Sequence, residues 1–188
     1  MKKMKRILSL LLIAVLILAL SACGSKTDPL WGTWVGEIDL RDDLVESLDE
    51  AFEGQGGPSA ADYITDLAMT VTLEFKEDGT FIRSYDLDKD KDAFVTGCAA
   101  YMRDMIGAIA GVEVDDATAA AALGMPLEDY ALSVLDTMTE AMKDESGTYK
   151  TDGKKIEWND EVNPYTIDGD TMIMDTGDIG SVTFHRVG

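Results

Sequence analysis

The sequence predicts a mainly β domain: an antiparallel up-and-down barrel of about eight strands, interrupted by a helical insert. Three observations carry this expectation. In "MTVTLEF", Met69, Val71, Leu73 and Phe75 alternate with Thr70, Thr72 and Glu74, and period two with β-branched residues marks a half-buried strand. Asp-Gly pairs at 78–79, 152–153 and 168–169 each separate two extended runs; such pairs accept the positive φ of hairpin turns and so join sequential neighbours. Over residues 90–146 the apolar pattern changes to helical spacing. A meander of this kind closes most economically as a barrel, because closure leaves no strand edge.

Taken in order, Trp31 to Leu40 is expected as the first strand. Trp31, Thr33 and Val35 lie on one side, with Trp34, Gly36 and Ile38 on the other. Asp42 or Asp43 is placed to cap a short helix whose apolar face is Leu44, Val45, Leu48, Ala51 and Phe52, stopped by Gly54. Gln55-Gly56-Gly57-Pro58 breaks the chain, and Ser59 to Asp62 offers a partial capping box for another helical turn or two. Phe81 to Leu87 returns as the partner of the "MTVTLEF" strand.

The insert begins with Phe94, Val95, Cys98, Tyr101, Met102, Met105, Ile106 and Ile109 at helical spacing, ended by Gly111. Asp115 or Asp116 caps an alanine-rich stretch closed by Gly124. Pro126 suits the first turn of a further helix, whose face includes Leu127, Tyr130, Ala131, Val134, Leu135, Met138, Ala141 and Met142. Met102, Met105, Met125, Met138 and Met142 are expected on the core side of these helices, or else as an adaptable binding face. After Gly147 the strand pattern resumes at Tyr149–Thr151, Lys155–Trp158, Tyr165–Ile167, Thr171–Asp175 and Ser181–Val187.

The chain opens with Lys2, Lys3, Lys5 and Arg6, then runs apolar from Ile7 to Leu20, broken only by Ser9. A basic start before a short apolar core is the form of a secretory signal, and a spanning helix would need about 20 apolar residues. The exit, Leu20-Ser21-Ala22-Cys23, resembles the lipobox of bacterial lipoproteins. The resemblance implies that residues 1–22 are a lipoprotein signal peptide and that the Cys23 sulfur receives a diacylglyceryl group. Residues 23–29 would then be a lipidated linker, and residues 30–188 a barrel domain held on the outer side of the cell membrane. A thiolate is the nucleophile such a transfer needs, and two acyl chains anchor stably where one is marginal. Loss of the four N-terminal cations would take the net charge from −20 to −24, a sign that argues against a nucleic-acid partner. Cys98 is left without an intrachain partner and is expected as a small apolar core residue.

Gly32-Thr33-Trp34, the eight sequential strands and the late Phe184-His185-Arg186 together resemble the lipocalin family and its small bacterial lipocalin-like relatives. The resemblance covers residues 30–88 and 147–187. It implies that Gly32, Trp34 and Arg186 belong to the barrel closure, with Trp34 closing the base and Arg186 lying across it. Lipocalins carry a single helix after the barrel, whereas this chain places residues 90–146 inside it.

Catalytic chemistry lacks its parts. His185 is the one histidine and is expected within a strand, with no second His, no cysteine cluster and no His-containing triad beside it, so metal hydrolysis and Ser-His-Asp catalysis both lack parts. No catalytic residue, cofactor or metal site is expected. The run from Asp86 to Asp92 fails the calcium-loop pattern, which needs Gly at its sixth position and Glu at its twelfth. Counted from Asp86 those are Lys91 and Gly97; counted from Asp88 they are Ala93 and Ala99. The run reads as a solvated strand-to-helix connection, with weak divalent-cation binding left open beside it. The function expected is non-catalytic binding of a small apolar ligand, in the barrel or under the helices. The alternative is an interaction module that engages another envelope protein through the insert. An apolar cavity of several hundred Å³ would mark the first; a filled barrel with an exposed apolar helix face would mark the second.

Overall fold

The computed structural model describes residues 28–188; Cys23 and the signal-like segment lie outside them. Residues Gly32–Gly188 form one compact unit. Its sheet contains β1 (Gly32–Asp39), β2 (Ala68–Phe75), β3 (Thr80–Asp86), β4 (Glu145–Thr148), β5 (Lys150–Thr151), β6 (Lys155–Trp158), β7 (Glu161–Asp168), β8 (Thr171–Asp175) and β9 (Ser181–Val187). The strands lie in the order β4-β3-β2-β1-β9-β8-β7-β6-β5, and every pair is antiparallel.

The two ends of that order, β4 and β5, are consecutive pieces of one extended run broken at Tyr149. Its first piece pairs with β3 and its second with β6. The sheet is therefore a nearly closed up-and-down barrel in which one stave divides its hydrogen bonds between two neighbours. Tyr149 eases the division: its N–H donates to the Gly79 carbonyl (2.9 Å) and its hydroxyl to the Lys76 carbonyl (3.1 Å).

Period two decides what fills the barrel. β2 alternates buried and half-buried residues along its whole length, with Met69, Val71, Leu73 and Phe75 inward. Trp34, Phe81, Ile156, Trp158, Met172, Met174 and Phe184 join them from five other strands. Phe75 and Phe81 stack on Trp158 with centroids 5.8 and 5.1 Å away, and Tyr149 meets Phe75 edge-on at 5.0 Å. Gly36 leaves room for Phe184 from the neighbouring strand; a Cβ there would lie 2.7 Å from the ring. The barrel is thus filled by packed side chains.

All the helices described stand at one end of the barrel. Asp39 of β1 pairs with Ala68, Thr70 with Asp86, and Arg83 with Glu145. The exits to α1 (Arg41–Ala51) and α2 (Lys91–Ala110), and the return from α4 (Leu127–Ala141), therefore share that end. α3 (Asp116–Leu123) lies between the last two. α2 buries Phe94, Cys98, Tyr101, Met102 and Met105, while α4 buries Leu127, Ala131 and Leu135. At Gly97 a Cβ would overlap the Tyr63 carbonyl, so glycine lets α2 close on that segment.

The structure alters three expectations. Neither Asp42 nor Asp43 caps α1: the helix starts at Arg41, whose N–H donates to Asp39 Oδ1 (2.9 Å). Register with β2 carries the chain as far as Asp39, so Leu40 becomes the N-cap residue and no side chain caps the helix. β4 begins at Glu145, two residues inside the expected insert 90–146, since Glu145 and Ser146 pair with Arg83 and Ile82. Their polar, glycine-flanked sequence gives no period-two signal. β7 starts at Glu161 rather than Tyr165, through a turn at Asn159-Asp160 with φ of 47° and 66°. Asn and Asp tolerate the left-handed region without a glycine, so this hairpin carried no Asp-Gly mark.

Candidate functional site

The end of the barrel away from the helices is closed by aromatic packing and one guanidinium. Trp34 and Arg186 are register partners across β1 and β9. The indole is fully buried, and Arg186 Cζ lies 4.1 Å from its ring centroid. Arg186 Nε also approaches Asp170 Oδ1 at 3.4 Å. Gly32, with φ of 123°, runs beneath the guanidinium; a Cβ there would come 2.8 Å from Arg186 Nη1. Tertiary structure thus brings Gly32, Trp34 and Arg186 together. His185 points outward and is exposed.

At the helical end the barrel holds a polar group the sequence did not signal. Arg83, an inward position of β3, binds Glu145 through Nη2. Its Cζ lies 5.6 Å from the rings of both Tyr85 and Trp158. Burial holds the Tyr85 hydroxyl above its ordinary pKa. Arg83 Nε and Asn163 Nδ2 are buried donors without a protein acceptor, of the kind that ordered water satisfies in other interiors. Only the pairing of β3 with β4 brings Arg83 to Glu145, and nothing local in sequence predicted that pairing.

The acidic run 86–92 is engaged in loop structure. Asp86 accepts from the Asp88 N–H at 2.6 Å and Asp90 from the Ala68 N–H at 2.9 Å. Lys89 pairs with Glu37 at 2.7 Å. Among the described residues, no group of three or more His, Cys, Asp or Glu is arranged to hold a metal ion.

The helices carry two grooves with apolar lining. α1 is amphipathic, yet none of its residues is buried; Leu44, Val45 and Leu48 are only half covered. It is fastened at its ends. Arg41 donates to the Ile64 and Ala61 carbonyls (2.8 and 3.2 Å), and Asp49 accepts from the Ala60 N–H (2.7 Å) and Ser59 Oγ (2.6 Å). Between α1 and α4 a groove of about 370 Å³ is lined by Leu40, Leu44, Val134 and Met138, with Ser47, Ser133, Thr137 and Asp43 around them. A second groove, about 450 Å³, runs between α2 and the α3–α4 segment, over Ala99, Ala100, Ala117 and Ala120.

Of the methionines, Met102 and Met105 are core, Met138 faces the first groove, and Met125 is 41% exposed. Cys98 is buried among the helices, and burial alone raises its pKa from 9.0 to about 11. It is a packed thiol, far from the thiolate state that reactivity requires.

No family model matches this sequence, and no curated protein does. Among solved structures the chain is similar to the wild-type fluorescent protein UnaG, at 10% identity, over 85% of this chain and 97% of that one, with a TM-score of 0.28. The architecture described above rests on the strand register itself.

Proposed function

We propose that this protein is a lipid-anchored, non-catalytic binding protein that takes a small apolar ligand in the groove between α1 and α4. One observation carries the site: α1 has an apolar stripe that no part of the fold covers completely. With the barrel interior filled by Trp34, Phe75, Phe81, Trp158 and Phe184, the helical end is where an apolar body finds unburied partners. The groove's volume lies at the lower end of the range for small-molecule sites, roughly 300–1,000 Å³. Each Å² of apolar surface covered there would contribute about 25 cal/mol. The lipobox-like Leu20-Ser21-Ala22-Cys23 supports the anchor and the outward-facing location.

Native mass spectrometry of the full chain, extracted from the membranes of its own host, tests the ligand. A retained apolar molecule is expected, and it should be lost when Ser133→Trp fills the groove. A chain that carries nothing and takes up no apolar probe counts against the reading. The anchor is tested by Cys23→Ser, which should release the protein from the membrane fraction or leave its signal uncut. Unchanged partitioning with unchanged mature mass would overturn it.

A second reading, docking of another envelope protein on the insert, is favoured by the filled barrel together with Ile109, Val112 and Met125. These three large apolar side chains are exposed by 53, 60 and 41%. Cross-linking from those positions in membranes separates the two.

A further inference from the structure

We infer that the α1–α4 groove selects amphiphiles with a cationic head, an apolar body bearing a protonated amine or quaternary ammonium, over fatty acids and other anionic lipids. The inference rests on the groove being the apolar site proposed above, and adds the sign of charge its occupant carries.

The floor is apolar, through Leu40, Leu44, Val134 and Met138, and Asp43 is the one charged residue of its lining. The Asp43 carboxylate takes part in none of the ion pairs among the described residues. The rim has the same sign. Glu46 and Glu50 follow Asp43 and Ser47 by three positions, and Asp136 and Glu140 follow Ser133 and Thr137 likewise. Residues three apart on a helix are neighbours on its surface, so each helix carries two further carboxylates one turn from a residue of the lining.

Countercharge is scarce on both walls. α4 contains no Lys or Arg at all, and α1 contains only Arg41. That guanidinium is already engaged by Asp42 and by two backbone carbonyls. Lys143 comes next, beyond the end of α4. A carboxylate head seated at this rim would meet like charge from both helices. An ammonium head would meet Asp43 at the lip and keep its hydration on the open side, avoiding the desolvation that makes buried ion pairs weak. An exposed pair contributes modestly, about 0.2–1 kcal/mol. Several carboxylates around one head therefore suffice to choose between charges, while the apolar floor supplies affinity.

The test uses the full chain in phosphatidylcholine nanodiscs, with empty nanodiscs as the blank, and three probes of one chain length: decyltrimethylammonium, decanol and decanoate. At low salt, uptake by the protein should fall in that order. The cation should bind about threefold to tenfold more tightly than the alcohol. Raising the salt should compress the series, since rim charges are screened over about 8 Å near physiological ionic strength and less at higher. Asp43→Asn should weaken the cation and leave the alcohol unchanged, whereas Ser133→Trp should remove all three. Equal binding of the three probes, or a preference for decanoate, overturns the inference while leaving an apolar site in place. Binding of none overturns the site as well.

Discussion

The guanidinium of Arg186 lies over the Trp34 indole with Cζ 4.1 Å from the ring centroid, although 151 positions separate them in sequence. Adjacent strands β1 and β9 make the two residues register partners. With the indole fully buried, the cation–π attraction is worth about 1–2 kcal/mol. Arg186→Ala should lower stability by that amount in denaturant titration, and Arg186→Lys by less, since an ammonium stacks less well. A neutral Arg186→Ala would show that the pair is incidental to closure of the barrel base.

Gly32 belongs to the same corner. Its φ of 123° is open to glycine and strained for any other residue, and a Cβ would crowd Arg186 Nη1. Gly32→Ala should cost about 1–3 kcal/mol. Combined with Arg186→Ala it should cost less than the sum, because part of the penalty is the displaced guanidinium. Strict additivity would leave the backbone as the whole cause.

Cys98 makes stability fall with pH on the alkaline side. The folded thiol is held at about 11 against an ordinary 9.0. Between those values the unfolded chain has released a proton that the native state retains, so the unfolded state gains. The contribution is complete below pH 9 and lost as pH rises through 11. Burial moves Tyr101 and Tyr130 in the same direction, so Cys98→Ala should reduce the slope without abolishing it. In the native protein the thiol should resist iodoacetamide at pH 8 and react on unfolding. Fast alkylation of folded protein would contradict its burial.

The Asn159-Asp160 turn offers a gain. Both residues adopt positive φ, and Asn-Gly is the sequence this two-residue turn favours. Asp160→Gly should raise the unfolding midpoint, by about 0.5–1 kcal/mol of stability. A loss would mean that unfolded-state entropy outweighs relief of the left-handed Asp.

Replacing residues 88–141 by a short glycine-containing turn leaves β4 whole, with Glu145 still paired to Arg83. A β-rich domain with one cooperative, weakened transition is expected in thermal unfolding followed by circular dichroism. Loss of that transition would show that Phe94, Cys98 and Tyr101 complete the only core.

What was legible in the sequence is what short-range periodicity encodes. The alternation from Met69 to Phe75, the Asp-Gly turns and the helical spacing around Cys98 specified strands, hairpins and helices. Successive hairpins then left little choice but a meander. The Trp34–Arg186 pair was also within reach, because closing eight sequential strands must bring the first beside the last. Other features had no local sign. Glu145 and Ser146 became strand because β3 offered them open hydrogen-bonding groups, which outweighed a polar sequence. Arg83 entered the barrel because register fixed its face and Glu145 came with the neighbouring stave. The groove is decided furthest from sequence. The apolar stripe of α1 reads as an ordinary core face, and only the placement of α4 across the groove leaves that stripe half-buried rather than fully buried. Periodicity says which side of a helix seeks cover; the packing of distant elements decides whether it finds any.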